Sequence, residues 1–224
     1  HVIDSGMQDL RYWREKLEEA RERQPRAVAV STTFLMSAPW LRALCAEIRR
    51  ALPSAQIVLG GYYYTSDARE FLKSDADVLC VGEGEVRLPA VVRAIRDSLP
   101  LEAIRGLYLR GRDGRLTFTG EAEPLDLNRI APVDYRLAER IEPPVSLDND
   151  VIEFGLETQR GCVFKCEFCT YRTLSTINVM EVDEAAGRVA NTRLARRGLL
   201  TLTDATATYP HDRWADLLQR IIDR

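Results

Sequence analysis

The chain has 224 residues, a net charge of −3 and 46% hydrophobic content, an ordinary balance for one or two globular domains. Nothing in it is basic enough to suggest nucleic-acid binding, no apolar run approaches the ~20 residues of a membrane span, and no signal peptide is expected. Five cysteines, three of them in one short loop, fit a reducing cytoplasm better than a disulfide framework.

Residues 1–104 alternate strand and helix. The pattern predicts the end of a strand at 1–4, an amphipathic helix over 8–24 with Leu10, Trp13 and Leu17 on one face, and an apolar strand over 27–31. A helix follows from Pro39, where proline suits the first turn, to Leu52. Then come a strand at 56–59, a helix at 66–73, a strand at 78–81 and a helix at 85–99. Such alternation implies crossover connections and a parallel sheet, so the expected fold is α/β, Rossmann-like or flavodoxin-like. Cys45, on the face shared by Leu41, Leu44 and Ile48, and Cys80, in the run Val78-Leu79-Cys80-Val81, are expected in the core, as cysteines commonly are.

Three loops leave the carboxyl ends of the predicted strands: Ser31-Thr32-Thr33-Phe34, Gly60-Gly61-Tyr62-Tyr63-Tyr64-Thr65 and Gly82-Glu83-Gly84-Glu85. Ligands of open α/β sheets bind along that edge. Hydroxyls there offer hydrogen bonds, glycines admit close approach to the backbone, and tyrosines present flat apolar faces. Taken singly, a Gly-Gly pair is a turn signal, and the acids of 82–85 could simply start a helix at its positive end.

Gly106-Leu107-Tyr108-Leu109 and Leu116-Thr117-Phe118-Thr119 flank Asp113-Gly114, a hairpin signal. Pro124, Pro132, Pro143 and Pro144 punctuate the irregular stretch that follows, so 105–150 reads as a hairpin and linker. From Val151 the alternation restarts: a strand at 153–158, a helix at 183–197, a strand at 199–203 and a helix around 214–222. Asp204, ending the second strand, could touch a ligand or serve as a turn residue. His211, in a loop after Pro210, is expected to face solvent.

After the first of these strands stands Cys162-Val163-Phe164-Lys165-Cys166-Glu167-Phe168-Cys169. Three thiolates at this spacing can ligate three irons of a cubane [4Fe–4S] cluster and leave the fourth iron open to a small molecule. A structural zinc site usually closes four ligands, and His211 is the only histidine downstream.

This loop resembles the signature of the radical S-adenosylmethionine (SAM) superfamily, C-x3-C-x2-C with an aromatic before the last cysteine, here Phe168. The flanks Glu157-Thr158-Gln159-Arg160-Gly161 and Thr170-Tyr171-Arg172 resemble it also. The resemblance implies that Cys162, Cys166 and Cys169 hold the cluster, that SAM chelates the open iron, that backbone near Phe168 meets SAM, and that one electron cleaves SAM to a 5′-deoxyadenosyl radical. It also implies that residues 151–224 begin a partial (β/α) barrel. Only 55 residues follow Cys169, whereas such barrels need roughly 200, so the chain is expected to be cut short there.

The first half resembles the cobalamin (B12)-binding domain. Ser31-Thr32-Thr33 is followed by 26 residues and then Gly60-Gly61, the spacing of that family's Ser-x-Leu and Gly-Gly elements, with Thr33 in place of leucine. Gly82-Glu83-Gly84-Glu85 resembles the recurring element of B12 domains fused to radical SAM barrels. The resemblance implies that Ser31, Thr32, Thr33, Gly60, Gly61, Tyr62, Gly82, Glu83, Gly84 and Glu85 line the cobalamin edge, where the nucleotide tail would thread. The family's first strand, with any Asp-x-His-x-x-Gly loop, would precede His1. Where relatives often have Pro-His after Gly-Gly, this chain has Tyr62-Tyr63.

The two resemblances together imply a cobalamin-dependent radical SAM enzyme, a methyltransferase at unactivated carbon or phosphorus. Its partners would be a small-molecule or peptide substrate and an electron donor such as flavodoxin or ferredoxin. Cobalamin-dependent radical SAM cyclases and rearrangement enzymes share these motifs. A methylthiotransferase would need three cysteines in the first domain, which has only Cys45 and Cys80. A non-catalytic cobalamin carrier leaves the cysteine loop unexplained.

Overall fold

A computed structural model describes residues 10–32, 37–61, 71–134, 152–169, 177–191 and 198–223. The expected strand at 1–4 and most of the expected helix at 66–73 lie outside them. The described residues fall into two compact units, meeting in sequence between Leu125 and Asp126.

The first unit runs α1 (Leu10–Glu22), β1 (Ala27–Ser31), α2 (Ala38–Ala51), β2 (Gln56–Gly60), β3 (Val78–Cys80), α3 (Gly84–Asp97), β4 (Leu107–Arg110) and β5 (Leu116–Phe118). Its sheet has the order β1-β2-β3-β4-β5. The first three strands are parallel, with Ser31 opposite Gly60 and Leu59 opposite Leu79. Successive strand residues point to opposite faces, and this divides the core in two. Ile57, Leu59 and Leu79 pack with Leu17 of α1 and with Leu41, Leu44, Cys45 and Ile48 of α2. On the other face Val58, Val78 and Cys80 pack with Val91 and Ile95 of α3 and with Leu107. A sheet covered on both faces is what makes its parallel strands near-continuously apolar. Truncating one such residue, as in Ile57→Ala, would cost about 2–5 kcal/mol.

The predicted hairpin forms, but it is not a free connector. β4 pairs antiparallel with β3, Cys80 opposite Leu107, and β5 pairs with β4. The sheet is therefore parallel at the binding end and mixed at the other. β3 would otherwise present an unpaired row of backbone N–H and C=O groups, and the hairpin satisfies them while burying Leu107. Tyr108 and Phe118 stack across the pair, centroids 4.7 Å apart.

The second unit comprises β6 (Ile152–Leu156), β7 (Gln159–Arg160), β8 (Asn178–Val179), α4 (Val182–Asn191), β9 (Gly198–Leu202) and α5 (His211–Ile222). β6 and β9 pair in parallel from Ile152–Gly198 to Leu156–Leu202, with α4 between them in sequence: one parallel β-α-β unit. Two parallel strands are not a barrel, and no closed barrel exists among the described residues. Leu127, Met180, Ala185, Ala186 and Leu217 form the core, joined by Trp214 and Ile221. β7 and β8 make a short antiparallel pair that the sequence reading did not anticipate.

Candidate functional site

In the first unit, parallel registration puts the carboxyl ends of β1, β2 and β3 on one edge, and the three loops leave from there. Two are joined directly. Thr32 is wholly buried; its amide donates to the Gly60 carbonyl at 2.7 Å and its hydroxyl to the same oxygen at 2.9 Å. These two hydrogen bonds to one oxygen hold the ends of β1 and β2 together. Ser31 is exposed beside it. Gly61 has φ +95°, so an L side chain there would be strained. Thr33 and Tyr62, also expected on this edge, lie outside the described residues.

The third loop has its own brace. Gly82 has φ +77°, and a Cβ there would stand 3.2 Å from the Arg87 guanidinium. Arg87 Nη1 donates to the carbonyls of Val81 and Glu83, fixing the turn that starts α3. Glu83 accepts the Leu125 amide at 2.8 Å. Gly84 opens the helix with no atom within 4 Å of an added Cβ, and Glu85 is exposed in its first turn, where the helix dipole favours acid. Gly82 and Glu83 are thus braced in this turn, while Gly84 has open space beside it. Arg87, a residue the sequence reading passed over, organises both.

Cys80 is buried below this edge; an ideal Cβ on Gly60 would lie 3.8 Å from its own Cβ. Burial pushes its thiol up to about 11, against a lowering by Arg87. Burial likewise raises Cys45 to about 12, with Asp75 adding to the rise. Both are core cysteines and poor nucleophiles, because the thiolate is the reactive form.

In the second unit the cysteine loop leaves β7 as 161–169. Cys166 is exposed, and Cys162 and Cys169 are half-buried. The Cys169 amide donates to the Cys166 carbonyl at 3.1 Å. The Phe164 amide reaches Cys162 Sγ at 3.4 Å, the kind of N–H···S contact that tunes iron–sulfur clusters. Phe168 is 90% exposed and Phe164 59%. Among the described residues no three His, Cys, Asp or Glu side chains are grouped to hold one metal ion. By its chemistry the donor set, three thiols on an accessible loop with an amide aimed at one sulfur, is compatible with a cubane in which each thiol meets a separate iron.

The loop is anchored at its root. Asp204 Oδ1 accepts the amides of Thr158 and Gln159 at 2.6 and 2.9 Å, and Oδ2 accepts the Thr158 hydroxyl at 2.6 Å. Arg160 pairs with Glu157 at 2.6 Å. Arg213 of α5 donates to the carbonyls of Thr158 and Met180; burial lowers its pKa, opposed by Asp204 and Glu181. His211, expected in a loop, begins α5 and is exposed.

In open α/β sheets of this kind, ligands bind outside the carboxyl ends of the parallel strands, where these hydroxyl and glycine residues stand. Residues 1–92 match the family model of the B12 binding domain, and the fold of the chain is similar to that of solved cobalamin-dependent radical SAM enzymes. No curated protein matches the chain. Solved structures do. The radical SAM methyltransferase TsrM from Kitasatospora setae, with cobalamin and [4Fe–4S] cluster bound, is 19% identical over 95% of this chain and 43% of its own, TM-score 0.66. The cobalamin-dependent SAM radical enzyme OxsB, with aqua-cobalamin bound, is 16% identical over 94% of this chain and 30% of its own, TM-score 0.68. The chain therefore spans less than half the length of either. Among the described residues no helix is long and apolar enough to cross a membrane.

Proposed function

We propose that this chain is part of a cobalamin-dependent radical SAM enzyme that methylates an unactivated carbon or phosphorus centre. The observation that carries the reading is the three-cysteine loop, set just after the first strand of a parallel β-α-β unit, in the same chain as a B12 binding domain. Both TsrM and OxsB support the combination by fold. That β-α-β unit is the opening of the barrel, whose chemistry lies at the carboxyl ends of its strands.

Cys162, Cys166 and Cys169 would hold three irons, and the backbone beside Phe168 would meet SAM. Ser31, Thr32, Gly60, Gly61 and the 82–85 loop would line the cobalamin, with Thr33 and Tyr62 contributing from the same loops. When bound, these groups supply a radical that removes hydrogen and a methyl donor for the carbon so exposed, while the protein positions and shields them. An sp3 carbon is not a nucleophile, so polar methyl transfer is closed to it. A small molecule or peptide would be the substrate, and a flavodoxin or ferredoxin the electron source.

The test is anaerobic reconstitution of the full-length protein with iron, sulfide and cobalamin, followed by mass spectrometry with isotope-labelled SAM. Transfer of the labelled methyl group supports the proposal. Deoxyadenosine without methyl transfer would point to cyclisation or rearrangement, and protein that binds cobalamin without cleaving SAM would be a carrier.

A further inference from the structure

The two residues that lead into the cysteine loop are polar and yet fully buried: Thr158 and Gln159. They stand four and three positions ahead of Cys162. Asp204, two residues past β9, takes both their amides and the Thr158 hydroxyl. The Thr158 carbonyl accepts the Met180 amide at 2.8 Å and Arg213 Nη2 at 3.0 Å. Gln159 Nε2 donates to Thr206, to its carbonyl at 3.2 Å and its hydroxyl at 3.3 Å. Groups before α4, after β9 and on α5 thus converge on one dipeptide.

Pairing of β6 with β9 does not require this. The parallel ladder runs to Leu156–Leu202 and is extended by the Thr203 amide on the Leu156 carbonyl at 2.9 Å. A half-buried carboxylate costs desolvation free energy that a strand end does not need to spend. What the carboxylate fixes is the direction in which the chain leaves the sheet, and hence where Cys162 starts. Past that point the bonds within the loop, among the described residues, are a Cys169–Cys166 turn bond and one N–H···S contact.

We propose that Asp204, acting through Thr158 and Gln159, is a positioning residue for the three-cysteine cluster site, with Arg213 locking the same dipeptide from its carbonyl side. The inference rests on the cluster reading above. Groups that orient metal ligands from outside the ligand set typically change affinity 10–100-fold when removed.

The test uses full-length protein reconstituted anaerobically with iron and sulfide. Iron retained under a chelator challenge, and the EPR signal of the reduced cluster with and without SAM, are read against circular dichroism as a check on folding. Asp204→Ala is expected to lose iron about tenfold faster than the parent, with an altered EPR response to SAM, while cobalamin binding stays unchanged. Asp204→Asn keeps one oxygen for both amides and offers an N–H to the Thr158 hydroxyl, so it restores retention close to the parent. Thr158→Val, which deletes a single bond, falls between. Parent-like retention and EPR in folded Asp204→Ala would overturn the assignment. If that variant does not fold, Thr158→Val decides, and parent-like behaviour overturns it again. A parent that takes up no iron–sulfur cluster sinks the proposed function and this inference together; a clustered parent with indifferent variants sinks only the inference.

Discussion

The carboxyl edge of the first sheet and the cysteine loop are built on opposite plans. On the edge, the reactive-looking residues are continuations of a buried sheet: Thr32 is tied to Gly60 twice, and Arg87 braces the turn at Gly82. In the loop the phenylalanines face solvent, the thiols are ungrouped, and the side-chain hydrogen bonds among the described residues gather at its root, residues 157–160. The first site is preorganised by the sheet. The second is held at its root, and under the proposed function its thiols would gain order from the cluster, as metal binding and local folding are coupled.

The widest separation between the regions comes from Cys166→Ala. Iron–sulfur absorbance and reductive cleavage of SAM are expected to vanish while cobalamin still binds, since Cys166 belongs to the second unit alone. Retained SAM cleavage would remove Cys166 from the ligand set. Native-state alkylation is the next contrast. Cys45 and Cys80, buried and raised to about 12 and 11, are expected to resist iodoacetamide, whereas Cys162, Cys166 and Cys169 react in apo-protein and are protected once the cluster forms. Peptide mass spectrometry reads all five, and rapid labelling of Cys45 would contradict the core described above.

Gly82→Ala tests the preorganised edge. Forcing an L side chain into φ +77° against Arg87 is expected to cost about 1–3 kcal/mol, seen as a lower Tm and weaker cobalamin uptake with the iron content unchanged. Thr32→Val removes the hydroxyl bond but leaves the amide on the Gly60 carbonyl, so about 1 kcal/mol or less is expected in chemical denaturation.

The smallest effect lies away from both sites. Hydrogen bonds from Arg14 and Arg50 hold Glu47 well below the usual carboxylate range, at about 2. A depressed folded pKa means stability that is present above the unfolded value near 4.5 and lost as pH falls towards 2. Glu47→Gln is expected to flatten the acid limb of the stability profile in that window and to leave cofactor binding alone. An unchanged limb would mean that the pair is screened by solvent.

Local pattern was enough wherever neighbours in sequence decide the structure. The strand at Ala27–Ser31, the helix opening at Pro39, the turn at Asp113-Gly114 and the cysteine spacing all depend on residues a few positions apart, where periodicity and turn chemistry act. The docking of the hairpin on β3 was not legible, because the open edge it satisfies belongs to a strand nearly thirty residues earlier in the chain. Arg87 carried no motif; its role exists only because the turn at 81–83 folds back over it. The sequence around Asp204 fits a turn residue and a ligand contact equally, since its partners at 158 and 159 are 46 and 45 residues away.

The order of residues determined which chemistry this protein can attempt: three thiols in eight positions, and hydroxyls and glycines where strands were due to end. Tertiary structure alone decided which of these groups are fixed and by what. Hydrogen bonds between distant segments form only after apolar faces have collapsed and set the register, and it is those bonds that anchor Thr32, Gly82 and the root of the cysteine loop.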